Sequence, residues 1–116
     1  MSEADGDRTR QIWHGHDHNG TRTISATLYA DGHLGIEGHD LGEAVKFFGA
    51  GFDEYEFAWS ASAPAVPRIV ALLGGQPGDD PLALLESWAH EHNGMDPGEF
   101  LKQGGAAIGF WSRLGE

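Results

Sequence analysis

Thr21 to His39 reads TRTISATLYADGHLGIEGH, and the pairing of its two halves decides the fold. In the first half Ile24, Ala26, Leu28 and Ala30 alternate with Thr23, Ser25, Thr27 and Tyr29. Side chains of a strand point to opposite faces in turn, so this is a strand with one apolar and one polar face. After Asp31-Gly32 the alternation resumes, with Leu34 and Ile36 apolar. A two-residue loop at Asp31-Gly32 would pair Leu28 with Gly35 and turn Leu34 and Ile36 to the polar side. A three-residue loop of Ala30, Asp31 and Gly32 pairs Leu28 with Leu34 and Ala26 with Ile36. A slip of one residue exchanges the faces, so the apolar pattern selects the longer loop. That loop puts Gly32 at the left-handed position of a type I turn with a G1 bulge, where glycine is favoured.

Working outward from this hairpin, Gln11 to His14 reads as a short opening strand, followed by a loop from Gly15 to Gly20. On the other side Asp40 reads as the N-cap of a helix, with Glu43 completing a capping box and Leu41, Ala44, Val45 and Phe48 as its apolar stripe. Glu54 to Ala61, EYEFAWSA, alternates again: Tyr55, Phe57, Trp59 and Ala61 face a core, while Glu54, Glu56, Ala58 and Ser60 face away. Pro64 to Leu73 is a helix with Val66, Ile69, Val70 and Leu73 inward. Asp80-Pro81 opens another that ends at Asn93-Gly94, and Asp96-Pro97 opens a short third ending near Gln103. Ala106 to Arg113 is a closing strand, with Ile108, Phe110 and Trp111 covering both faces as in an inner, well-covered strand. The order β-β-β-α-β-α-α-α-β implies an α+β fold: an antiparallel sheet of about five strands with helices on one face. The expected organisation is a mobile acidic N-terminus over residues 1–9 and one domain over 10–116.

The charge balance narrows the partners. There are 18 acidic residues against 7 Lys and Arg, a net charge of −11. Such a surface repels phosphate backbones and anionic lipid, which argues against nucleic acid and membrane and favours a basic protein or a cation. With no cysteine, disulfides, thiolate metal sites and Cys nucleophiles are excluded. The chain start lacks a basic segment followed by an apolar run, and no apolar stretch approaches the ~20 residues of a membrane span, so a cytoplasmic protein is expected.

The candidate chemistry lies in histidines and acids. In Trp13 to Gly20, WHGHDHNG, His14, His16 and His18 alternate and would share one face of a strand, where their imidazoles could hold zinc or another divalent transition metal. The string echoes the HxHxDH motif of metallo-β-lactamase-like hydrolases, but Asp17 is misplaced for it, and Gly15, Asn19 and Gly20 favour a turn. His33, Glu37 and His39 fall on the polar hairpin face with Thr23 and Tyr29, where two imidazoles and a carboxylate could ligate a metal or do acid–base work, as an alternative to His14, His16 and His18. His90 and His92 are not the start of a zincin motif: helix positions two apart diverge by about 200°. Both fit the negative end of a helix dipole. No GxSxG elbow and no P-loop occurs, and Gly49-Ala50-Gly51 follows a helix where a dinucleotide fingerprint would follow a strand. Asp31, Glu37, Asp40, Glu43, Asp53, Glu54 and Glu56 make the best candidate surface for a basic partner.

The segments TISATLYADGHLGIEGHDLG, EYEFAWSASAPAVPRIVALLGG and GFWSRLGE together resemble a set of small actinomycete proteins. In these a DGxLxIxGxDLG hairpin precedes an acidic aromatic strand and the chain ends near FWxR. The resemblance carries over no functional residue. Its small, acidic, cysteine-free character is similar in type to immunity and antitoxin proteins. Three functions are therefore expected in turn: a non-catalytic acidic protein-binding domain, an inhibitor of a basic partner in the immunity or antitoxin manner; a metal-binding protein or small metal-dependent enzyme using His14, His16 and His18; and a small-molecule binder between sheet and helices, lined by Trp13, Tyr55, Trp59 or Trp111.

Overall fold

A computed structural model describes residues 6–17, 20–42 and 54–115. The sheet has five antiparallel strands in sequence order: β1 (Arg8–Asp17), β2 (Gly20–Leu28), β3 (Leu34–Leu41), β4 (Glu54–Ala61) and β5 (Gly109–Gly115). After a 3-10 turn at Ala63–Ala65 come helices α1 (Val66–Leu72), α2 (Pro81–Glu91) and α3 (Pro97–Gln103). The α+β architecture is as the alternation implied.

The β2–β3 hairpin has the expected register, Leu28 opposite Leu34 and Ala26 opposite Ile36. Gly32 sits at φ +92°, and its N–H donates to Tyr29 O at 2.9 Å, closing the turn. The apolar faces of the strands then meet on one side. Ile24, Ala26, Leu34, Ile36, Phe57, Trp59 and Ala61 are all buried there against Ile69, Leu82, Leu85, Ala89 and Leu101 of the helices. Burying each large aliphatic side chain contributes about 1.5–3 kcal/mol, which makes this shared face the main driving force for folding.

β1 differs from expectation. It starts at Arg8, taking in two residues of the segment expected to be mobile, and it runs through Gly15, His16 and Asp17, expected to be loop. The reason is a β-bulge: Gln11 pairs with Ser25, but Trp13 pairs with Ile24, so Ile12 is an extra residue. The bulge breaks the period of two and lets Ile12, fully buried, and Trp13 both pack on the core. Before it, Arg8 and Arg10 lie on the helix side and pair with Asp80 (3.0 Å) and Glu86 (3.1 Å) of the α2 region. The Arg8 bond, reinforced by the Leu82 N–H, holds the Asp80 carboxyl below the usual carboxylate range.

Two further expectations are corrected. Asp40 and Leu41 belong to β3, where Asp40 pairs with Tyr55, so Asp40 is not a helix cap. The rest of that expected helix, from Glu43, lies outside the described residues. β5 is an edge strand with half-exposed Phe110 and Trp111, because five strands in sequence order leave the last with one neighbour. The helix starts are as read: Asp80 accepts from Leu82 N at 3.1 Å and Asp96 from Gly98 N at 2.9 Å. Trp59 Nε1 donates to Asp96 at 3.0 Å, tying α3 to β4. No helix of the described residues is long and apolar enough to cross a membrane.

Candidate functional site

The three described helices pack on one side of the sheet, and no described element covers the other. Strand alternation and register order its side chains into transverse rows, since residues directly opposite share a face. One row runs Gln11, Ser25, Glu37, Ala58, Trp111; the next His14, Thr23, His39, Glu56, Arg113; the next His16, Thr21, Leu41, Glu54. None of these side chains is buried. The face is largely polar because most alternate residues of the strands are polar, Leu41, Ala58 and Trp111 being apolar, and the described helices lie on the other side.

The rows bring the acids and histidines together. His39 Nε2 lies 3.2 Å from Glu54 Oε2, and Arg113 donates to Glu56 Oε1 at 2.8 Å. His14 Nδ1 and His16 Nδ1 each share a hydrogen with a facing hydroxyl, Thr23 Oγ1 at 2.9 Å and Thr21 Oγ1 at 2.8 Å. At the hairpin end Tyr29 and His33 stack with centroids 4.0 Å apart. Between the first two rows lies a trough of about 420 Å³, bordered by Thr23, Ser25, Glu37, His39, Glu56 and Trp111, with Ala58 at its base.

The expected site residues separate accordingly. Glu37, Glu54 and Glu56 share the open face. Asp31 sits in the hairpin turn, where it accepts from the His33 backbone N–H at 3.0 Å and contacts the His33 ring. The His33 backbone bond is the main reason its carboxyl lies below the usual range. Asp40 is on the opposite face, with both oxygens taken at 2.7 Å by Arg22. Glu43, Asp53 and His18 lie outside the described residues. His14 and His16 are exposed on β1, each bonded to its own threonine. Among the described residues, the group with three metal-ligating atoms in mutual reach is His39, Glu54 and Glu56, whose ligand atoms lie within 4.8 Å of one another. Those are the residues that could hold a cation.

The aromatic set expected between sheet and helices does not form one pocket. Trp59 is core, Tyr55 packs against it, and Trp13 lies over Gly94 beside His90, centroids 5.4 Å apart. Trp111 is on the other face. A cleft of about 570 Å³ at the end of the sheet takes lining from both faces, Trp13, His92 and Met95 on one side and His16 and Leu41 on the other, and the Arg22 and Asp40 in its wall pair with one another. As for catalysis, His39 with Glu54 is an imidazole–carboxylate pair, yet the facing Thr23 hydroxyl is bonded to His14.

Sequence reasoning missed Trp111 and Arg113 as members of this face. The signal was the strand order: once β5 is placed beside β4, every second residue of FWSR falls into the rows. No protein-family model, no curated protein and no solved structure matches the chain.

Proposed function

We propose that the chain is a non-catalytic binding domain that holds a basic protein partner on its uncovered sheet face, as an immunity- or antitoxin-like inhibitor would. The observation that carries this is the gathering of Glu37, Glu54 and Glu56 on a face that no described element covers, beside a half-exposed Trp111. An acidic field steers a basic partner and speeds encounter, while an exposed indole supplies the desolvated anchor on which protein interfaces depend. The net charge of −11 supports the same sign of partner. The test is capture from the native host at low and high salt by the wild type and by the variant Glu37→Gln/Glu54→Gln/Glu56→Gln. A partner of basic charge whose capture falls with salt and is lost in the triple variant supports the reading. Equal capture by both proteins refutes it.

A second reading, a divalent-metal site, is favoured by the convergence of His39, Glu54 and Glu56. It moves the metal from the His14, His16 and His18 stretch to the centre of the face. Calorimetric titration with zinc should then show one site, lost in His39→Ala and kept in His14→Ala/His16→Ala. Binding that follows the second pair instead would refute this placement.

A further inference from the structure

We infer that the trough beside Trp111 is a socket for a single arginine side chain of the partner. This rests on the reading of the open face as a protein-binding surface and adds what the face grips. In the row Glu37, Ala58, Trp111, a methyl group stands between a carboxylate and an indole. Adjacent strands are about 4.8 Å apart, so the β3 and β5 backbones that bear Glu37 and Trp111 stand about 10 Å apart, with only the Ala58 methyl between. That opening admits a flat group standing against the indole. The acceptors around it are the Glu37 and Glu56 carboxylates and the Ser25 hydroxyl, spread over three strands. A guanidinium presents five donors in one plane and stacks on aromatic faces, so it meets a flat wall and several acceptors at once. An ammonium is a compact point charge and gains less from the wall.

The chain builds the same combination for its own Arg22. On the helix side, Arg22 is held by both Asp40 oxygens at 2.7 Å, with its Cζ 5.6 Å from the centroid of the Phe57 ring. On the open side, Arg113 reaches Glu56 Oε1 at 2.8 Å. The trough repeats the components of the Arg22 site, carboxylate and aromatic ring, with the half-exposed Trp111 as its ring. Arg113, bonded to the Glu56 of its border, is a like charge to the incoming group, competes for that carboxylate and weakens the socket.

The experiment is a nitrogen-15 NMR titration at low salt with the peptide Gly-Gly-Arg-Gly-Gly, and with its lysine and citrulline counterparts. The arginine peptide should shift the Trp111 indole and the amides of Ser25, Glu37 and Ala58. Trp111→Ala and Glu37→Gln should each weaken binding about two- to fivefold. Arg113→Gln should tighten it, a gain that a misfolded variant cannot mimic. The assignment is overturned if the citrulline or lysine peptide binds as well as the arginine peptide, if the shifts map elsewhere, or if Trp111→Ala binds as the wild type. If the arginine peptide fails while the triple glutamine variant still loses the captured partner, the socket falls and the face remains. If the triple variant captures normally, the face itself is wrong.

Discussion

Asp40 and Glu37 stand three residues apart in one strand and share a sign, yet replacing them should have different consequences. Asp40 faces the helices. Its side chain is 16% exposed, and it bonds Arg22, itself 36% exposed, through both oxygens at 2.7 Å. The bond to Asp40 also keeps the Arg22 guanidinium pKa above its usual value, against the opposing effect of burial. Arg22 donates in addition to Gly94 O at 3.1 Å, so its position links β2 and β3 to the end of α2. Asp40→Asn keeps the volume and one acceptor oxygen, but removes the charge and turns an amide N–H₂ toward the guanidinium. A fully buried pair broken from one side costs about 3–5 kcal/mol, and an exposed pair about 0–1. With the acid largely buried and the arginine about one-third in water, the expected loss is about 2 kcal/mol after discounting for screening. For a chain of this length that lowers the melting temperature by roughly 6–12 °C. Glu37→Gln removes an exposed charge from the open face and should change stability by less than about 0.5 kcal/mol. Urea unfolding and thermal melts followed by circular dichroism give both numbers, and unchanged m-values would show that the unfolded states match. A loss below about 0.5 kcal/mol for Asp40→Asn would refute the division of the acids into structural and surface members. So would an equal loss for Glu37→Gln.

Two other substitutions probe the helix side. A Cβ at Gly98 would stand 1.9 Å from Trp59 Cε2, so Gly98→Ala should lower stability by about 1–3 kcal/mol in the same melts, although alanine is the better helix former by up to about 1. Asp80→Asn keeps the cap on Leu82 N but loses the pair with Arg8, and should cost less than about 1 kcal/mol at neutral pH because Arg8 is largely in water. The Asp80 carboxyl is depressed in the folded protein, so its contribution is complete above the unfolded value of about 3.9 and is lost as pH falls through the folded value. Wild type and Asp80→Asn should therefore differ at pH 7, begin to converge as pH falls below about 4 and become equal only below the folded value; a gap that persists there would show that the effect does not come from the ion pair.

The register of the central hairpin was legible because two alternating segments admit only one loop length that joins their apolar faces. The core followed from it: Ile24, Ala26, Leu34, Ile36, Phe57 and Trp59 are buried as their periods require. β1 was under-read for a local reason. One inserted residue, Ile12, shifts the phase of alternation, and a window that spans the bulge shows no period. Gly15 and Gly20 then looked like turn residues, although a φ of +133° at Gly20, next to Asp17 in the pairing, confines the left-handed backbone to the strand's end. Asp40 misled in a different way. A short acid before an apolar run satisfies the cap pattern, but the same carboxylate serves a neighbouring strand's arginine equally well, and tertiary pairing decides between them.

The open face shows why the site was harder to read than the fold. Burial selects residues strand by strand, and alternation within one segment reports it. A binding surface depends on what lies beside a residue on the next strand, which no single segment records. Thr23, Glu37 and His39 could be placed on one face from the hairpin alone, and Glu54 and Glu56 on the polar side of their own strand. That His39 stands opposite Glu56, and Ala58 between Glu37 and Trp111, follows only from strand order. Once that order is known, the chemistry concentrates. Of the acids expected to form one surface, Asp40 is withdrawn to the other face by Arg22 and Asp31 is engaged in the turn, which leaves Glu37 and Glu56 at the trough and Glu54 beside His39 on the same face. The acid that ties the strands on the helix side and the acids of the open face are thus different residues. A variant that reverses the charge of the face is therefore expected to keep its stability, because Glu37, Glu54 and Glu56 lie outside the core and the Arg22–Asp40 pair.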